Sequence, residues 1–316
     1  MKLPNINNAT ERPRVLVLLA TYNGQALLSE QLQSILDQQD VEVEILVGDD
    51  CSSDGTLELL RDISQRENRI KFVRWEKGSG SAGENFRRLF GTADLSGYDF
   101  VALADQDDIW LLDKLTRAVH ALRESGADGY SAAVEAFWAD GRTRILRQSN
   151  ITRRGDFLFE GAGQGCTFVL PIATFIKVQL FCIENIQAVS KMHYHDWLIY
   201  LLVRTWGGKW YFDQEPVMKY RQHANNEIGS RGGISAIKYR IAKVKNGWYR
   251  NQILCSMEIL DLYLDKNHFL ASFENYFRNI NVPFRKIKVV KFILFHGRRK
   301  LSERIFMTCC VFAGWL

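Results

Sequence analysis

The sequence predicts an α/β fold with a mostly parallel central sheet, followed by a basic helical extension. Three observations carry this expectation. Short apolar runs alternate with helix-period segments through the first half of the chain, the repeat that builds parallel sheets covered on both faces. Polar loops rich in Asp, Asn, Ser and Gly follow those runs, where ligands of such sheets bind. From residue 231 the composition turns strongly basic.

In chain order, Val15–Ala20 reads as a buried strand and Leu27–Gln38 as a helix with Leu28, Leu32, Ile35 and Leu36 on one face. Val43–Val47 is the second strand, Thr56–Arg66 the next helix and Ile70–Trp75 the third strand. A short helix starts over Asn85–Phe90, Phe100–Ala104 is the fourth strand, and a helix follows over Leu111–Arg123. Beyond Ala127 the pattern is irregular, with a glycine-rich stretch at Gly161–Gly165 and the apolar run Cys166–Leu170. A helix over His195–Trp206 precedes strands at Lys209–Phe212 and Val217–Arg221. Gly229-Ser230-Arg231-Gly232-Gly233 reads as a joint. It divides the chain into a body, residues 1–230, and a basic amphipathic helical region, residues 231–316.

Charge follows the same division. The net charge is +5. Residues 231–316 hold 16 Lys/Arg against 5 Asp/Glu, so an acidic body carries a basic tail and the two meet different partners. The six cysteines are scattered and none forms a C-x-x-C pair, which points to a reducing compartment rather than a disulfide framework. The polar N-terminus reads as no signal peptide, and no apolar stretch reaches the ~18 residues of a membrane span. A cytoplasmic protein is expected.

The motifs that carry chemistry lie at the strand ends. Asp105-Gln106-Asp107-Asp108 crowds three carboxylates after a buried strand, an arrangement that suits a hard divalent cation, Mg²⁺ or Mn²⁺. The plainer alternative is an acidic turn capping the following helix. Asp49-Asp50-Cys51-Ser52-Ser53-Asp54-Gly55-Thr56 offers Asp50 to a ligand's hydroxyl or imide groups and Asp54 to the helix cap. Asp196, in His195-Asp196-Trp197 at a helix start, serves either as a cap or as a general base at a cleft rim. Tyr220-Arg221-Gln222-His223 gathers cationic and imidazole groups suited to a diphosphate or its metal. Gly78-Ser79-Gly80-Ser81-Ala82-Gly83 matches the dinucleotide fingerprint G-x-G-x-x-G. It stands in the third strand–helix unit rather than the first, which favours a loop bordering a donor site.

Together, and in this order, these segments with Ala20-Thr21-Tyr22-Asn23-Gly24 resemble the large inverting glycosyltransferase family 2, in its bacterial rhamnosyltransferase-like branch. The resemblance covers roughly Arg14 to Asn226. It implies a GT-A fold, a nucleotide-sugar donor (a dTDP- or UDP-sugar, with dTDP-rhamnose leading) and a divalent cation. Position by position it implies that Thr21, Tyr22 and Asn23 line the nucleotide site and that Asp50 contacts the base. Asn85 matches a donor-site asparagine. Asp105 and Asp107 match the family's D-x-D, with Asp107 touching the metal, and His223 lies near diphosphate and metal. Asp196 matches the catalytic base. The acceptor would be a glycan or a lipid-linked oligosaccharide.

In the tail, Arg285–Lys300 interleaves Lys286, Lys288, Lys291, Arg298 and Arg299 with Ile287, Val289, Val290, Phe292, Ile293, Leu294 and Phe295. This composition suits a helix lying on an anionic membrane, which would place the protein on the cytoplasmic face of the inner membrane. Packing on the body is the alternative. Nucleic acid is not expected, because no aromatic platform motif accompanies the charge. Two other functions remain open in the sequence: a nicotinamide-dependent oxidoreductase using Gly78–Gly83, and a non-catalytic membrane-associated assembly protein.

Overall fold

The computed structural model describes residues 12–222, 241–263, 269–280 and 282–316. Its organising strand is β1 (Arg14–Thr21), whose run Val15–Leu19 is buried on both faces. Leu16, Leu18 and Ala20 enter one apolar core, and Val15, Val17 and Leu19 enter the other. A two-faced apolar run of this kind is stable only in a sheet interior. β2 (Glu42–Asp49) and β4 (Phe100–Ala104) flank it in parallel, and β3 (Ile70–Arg74) pairs with the outer side of β2.

Helices α1 (Leu28–Leu36), α2 (Thr56–Arg66) and α4 (Lys114–Ser125) cover one face through Leu28, Leu32, Leu60, Leu115 and Val119. α3 (Ala82–Thr92) covers the other with Phe86, Leu89 and Phe90. Between β4 and α4 lies a two-residue strand, β5 (Ile109–Trp110), so the helix expected from Leu111 begins at Lys114. The acidic turn therefore caps no helix.

The sheet continues from β4 in mixed pairing. Its order is β3-β2-β1-β4-β8-β6-β9-β5, with β6 (Gly129–Trp138), β7 (Thr143–Leu146) beside β6, β8 (Val169–Pro171) and β9 (Trp210–Gln222). The two strands expected near residues 209–221 form one strand. Its register against β6 shifts between Asp213 and Pro216, as a residue without a backbone N–H demands. α5 (Ile172–Glu184) and the one-turn α6 (Ile186–Val189) lead to α7 (His195–Thr205), in which His195 and every residue from Trp197 to Val203 are buried. Such a helix needs cover on all sides.

Part of that cover comes from the C-terminal helices: α8 (Trp248–Asp261), α9 (Ala271–Arg278), α10 (Pro283–His296) and α11 (Leu301–Phe312). Ile253, Met257, Phe273, Phe277, Ile293 and Met307 join the same apolar core as Leu18, Phe86 and Leu198. Phe273 stacks on Phe292 at 4.1 Å between ring centroids and meets Phe159 of the body edge-on at 5.6 Å. The basic region thus packs on the body.

A buried ionic contact bolts it there. Arg299, 1 % exposed in its side chain, donates to the Gly161 carbonyl at 2.7 Å and lies 3.5–3.6 Å from the carboxylates of Glu160 and Asp156. Its backbone N–H donates to Glu160 at 2.5 Å. Asp156 also accepts from the Tyr200 hydroxyl and pairs with Arg204, both on α7. Removing one partner of such a group strands buried charge. Arg299→Ala is expected to destabilise the protein by about 3–5 kcal/mol, read as a lowered denaturant midpoint; an unchanged midpoint would show that the bolt contributes nothing.

Candidate active site

Strand order reverses between β1 and β4, and the carboxyl ends of β1, β2 and β4 open there into a cleft of about 2160 Å³. This is the position where open α/β sheets bind ligands. The first loop is stitched to the other two. Thr21 Oγ donates to Gln106 Oε1 at 2.6 Å, and the Gln106 side chain also exchanges two hydrogen bonds with the Tyr22 backbone. Asn23, at φ 50°, spends its Oδ1 on the Ser53 N–H, while its own N–H donates to Ser52. A Cβ on Gly24 would stand 2.5 Å from Gln106 Oε1 and would displace the side chain that ties the loops. The Tyr22 ring, 55 % exposed, projects at the cleft.

Asp50 has an unexpected neighbour. Its carboxylate accepts from Ser79 N–H (2.7 Å), Ser79 Oγ (2.8 Å) and Gly80 N–H (3.1 Å), so it holds the glycine-rich loop as a strap across the end of β2. Gly80, at φ 76°, makes that turn accessible, and Ser81 caps α3 through the Glu84 N–H. The loop amides that a dinucleotide phosphate would need point at a carboxylate, and β3, which precedes the loop, is an edge strand of the sheet. Asn85 lies beneath, 2 % exposed: its Oδ1 accepts from Trp75 Nε1, and its Nδ2 donates to the Gly48 and Thr21 carbonyls. Its amide locks the ends of β1 and β2 together. Asp54, read as a cap, accepts from both the N–H and the hydroxyl of Thr56 at the start of α2.

At the end of β4, Asp105 and Asp107 line the cleft, while Asp108, 1 % exposed, turns behind them. Carboxylate oxygens of Asp105 and Asp108 and the Cys166 sulfur lie within 4.8 Å of one another. Burial, with Asp107 and Asp105 beside it, raises the Asp108 carboxyl well above the usual range. Burial likewise raises the Cys166 thiol. Lys114, fully buried over the Trp110 ring at 3.2 Å, donates to the Cys166 carbonyl, and burial lowers its ammonium to about 7. Asp108 Oδ2 is buried without a nitrogen or oxygen donor among the described residues, and a cation here would relieve the crowding that disfavours its charged form. This oxygen-rich set fits a hard divalent cation. Arg221 closes the group from β9, donating to the Asp107 carbonyl, to Asp108 and to Glu30. His223 lies outside the described residues.

Asp196 reaches the same cleft from the first turn of α7. Tyr194 precedes the helix without a side-chain cap bond, and Asp196 Oδ1 accepts from the next N–H, that of Trp197, at 2.6 Å. The Gly161–Gly165 stretch passes under this helix start. A Cβ on Gly165 would stand 2.6 Å from His195 Nε2 and 3.1 Å from Asp196 Cβ, and one on Gly161 would stand 3.3 Å from the Trp197 backbone. The start of α7 thus leaves Gly165 no room for a side chain.

Residues 16–183 match the model of glycosyl transferase family 2. The chain belongs to that family. It is 38% identical over 236 residues to the dTDP-rhamnosyl transferase RfbG of Shigella flexneri, covering 74% of this chain and 82% of that protein. It is 34% identical over 194 residues to the UDP-Glc:α-D-GlcNAc-diphosphoundecaprenol β-1,3-glucosyltransferase WfgD of Escherichia coli, covering 58% and 68%. In fold it is similar to Staphylococcus aureus TarS 1–349, solved with UDP-GlcNAc, at a TM-score of 0.53 and 19% identity, over 96% of this chain and 80% of that one. The fold is GT-A. The oxidoreductase alternative falls with this assignment.

The family 2 glycosyltransferase thus gathers Thr21, Tyr22, Asn23, Asp50, Asn85, Asp105, Asp107 and Asp196 around one cleft. The sequence did not single out Cys166 or Lys114. Each is one residue of an apolar or helical run, and only the fold sets them behind Asp105. His195 was also missed. It stacks on Phe86 at 3.9 Å, and burial first, then Arg87, lowers its imidazolium to about 3. The unfolded chain takes up this proton near pH 6.5 and the folded one only near 3, so the histidine's contribution to stability is present above pH 6.5 and lost as pH falls through that window. His195→Phe should melt with a shallower loss of Tm between pH 6.5 and 3.5 than the wild type. Parallel pH profiles would show that His195 stays charged in the fold.

Proposed function

We propose that the protein is a metal-dependent inverting rhamnosyltransferase of bacterial surface polysaccharide (O-antigen-type) synthesis, with dTDP-rhamnose as donor and a glycan or lipid-linked oligosaccharide as acceptor. The observation that carries this reading is the convergence of Asp105, Asp107 and Asp196, from three separate elements, on one cleft at the strand-order reversal. The choice of rhamnose rests on the 38% identity to RfbG.

Thr21, Tyr22, Asn23 and Asp50 receive the nucleoside, and Asn85 fixes the strand ends that carry them. Asp107 and Asp105, with His223, would hold Mg²⁺ or Mn²⁺, which supplies positive charge to the departing diphosphate. Asp196 takes the proton of an acceptor hydroxyl. The freed oxygen attacks the anomeric carbon from the face opposite the diphosphate, one C–O bond forms as the other breaks, and configuration inverts. Most of the acceleration comes from positioning and fixed charge.

The decisive experiment is a thermal-shift panel of dTDP, UDP, GDP and NAD⁺, with and without Mn²⁺, on the wild type and Asp107→Ala. Manganese-dependent stabilisation by dTDP, lost in the variant, is expected; no nucleoside diphosphate shift at all would defeat the reading. Asp196→Ala should lower turnover by about 10²–10⁴-fold while keeping the dTDP shift. Near-normal turnover would remove Asp196 from the mechanism.

The reading extends to the membrane. α10 exposes Phe284, Ile287 and Phe295 along with Lys288 and Lys291, and α11 exposes Leu301, Ile305 and Phe312. Among the described residues no helix is long and apolar enough to cross a bilayer. An apolar stripe with interleaved lysines suits the surface of an anionic leaflet, each basic residue adding on the order of 1 kcal/mol. The enzyme would then work peripherally on the cytoplasmic face, beside a lipid-linked acceptor. Flotation with phosphatidylglycerol vesicles should carry the wild type and leave Lys288→Glu/Lys291→Glu behind; equal flotation would sink this placement.

A further inference from the structure

The cleft has two unlike walls. The strand-end wall is polar and carries the donor residues. The wall opposite, around Asp196, is aromatic: Tyr194 immediately precedes His195-Asp196, and Trp248 is the first residue of α8. Both rings are half-buried. Their centroids stand 5.6 Å apart at an interplanar angle of 66°, forming a corner, and His193 closes its back at 4.5 Å from Tyr194 and 5.7 Å from Trp248. Lys243 also lines the cleft, its ammonium 4.0 Å from the Trp248 ring centre.

The corner is built rigidly. Gln252 of α8 accepts from the His193 N–H at 2.7 Å and donates to the Lys191 carbonyl at 3.1 Å. From the other side Arg87 donates to the Met192 carbonyl at 2.7 Å. Gly83 lies so close that a Cβ there would stand 2.1 Å from the His193 carbonyl oxygen. The segment Lys191–Tyr194 is clamped between α3 and α8, and so is the start of the helix that carries Asp196.

We infer that this corner is the acceptor subsite: Trp248 and Tyr194 receive the apolar C–H face of a pyranose ring whose hydroxyl is presented to Asp196, with Lys243 meeting its outer oxygen atoms. A pyranose is amphipathic in the same sense as the corner, with C–H patches to set on aromatic rings and hydroxyls that need polar partners at the edge. The inference rests on the glycosyltransferase reading, and it gives the C-terminal region a second task, completing the site itself.

The test uses methyl glycosides of N-acetylglucosamine, glucose, galactose and rhamnose. Each is titrated into the full chain by saturation-transfer NMR with dTDP and Mn²⁺ present, for the wild type, Trp248→Ala and Trp248→Phe. At least one glycoside should bind the wild type with saturation strongest at its ring C–H protons. That binding should weaken about tenfold in Trp248→Ala, roughly the loss of one good aromatic contact, and persist in Trp248→Phe. The dTDP thermal shift should be equal in all three, which also certifies their folding. Equal glycoside binding in Trp248→Ala overturns the subsite, as does a wild type that shifts with dTDP yet binds none of the glycosides. A wild type that binds glycoside through Trp248 but gives no dTDP shift upholds the subsite and strikes the donor assignment alone.

Discussion

A strand apolar on both faces has to be covered twice, and much of this molecule follows from meeting that demand at β1. On one side α1, α2 and α4 suffice, as local strand–helix connections supply them. On the other side α3 and α5 leave room for α7, a helix apolar on all sides that needs cover of its own. The chain finds that cover in its last helices. A burial requirement in the first strand is therefore answered by residues beyond position 240, and this brings Trp248 and Arg299 to the cleft. In the body the same demand sets backbone against backbone. Position 165 under α7 and position 83 at the α3 start are glycine, and the neighbouring segments leave no room for side chains there.

Electrostatics arranges what packing brings together. The carboxylates at the ends of β2 and β4 are treated differently. Asp50 is satisfied by two loop amides and a hydroxyl, so it organises the protein even without a ligand. Asp105, Asp107 and Asp108 are crowded, with Arg221 and a buried, weakly basic Lys114 beside them. The first holds a loop in place; the second crowds carboxylates whose repulsion a cation would relieve.

The body up to α4 was legible because its signals are local. β1 and β4 are apolar runs bounded by polar loops, α2 occupies the expected residues Thr56–Arg66, and the strand-end loops declared themselves by composition. Legibility ended at β6, whose Gly-Tyr-Ser-Ala-Ala-Val run is buried on both faces and so lacks the alternation that betrays a strand. α5 was missed for the reverse reason: Ile172, Thr174, Phe175, Ile176 and Val178 favour strands, and tertiary packing overrides them. In the site, the residue types at the strand ends could be read, but their partners could not. No pattern in the sequence links Asp50 to Ser79, Gly161 to Trp197, or Asp108 to Cys166, since these contacts span many residues and arise only when the sheet closes.

The buried tie between Arg299 and the Asp156–Glu160 pair sets a rule for recombination. The donor loops and the C-terminal helices lie far apart in sequence, so family members invite the making of chimeras by exchanging everything after β9. Such an exchange moves an arginine away from two carboxylates that stay behind in the body, within a core both parts share. Tails are interchangeable only between relatives that carry both halves of the tie, and diversification of this enzyme has to proceed by coordinated changes in both partners of it.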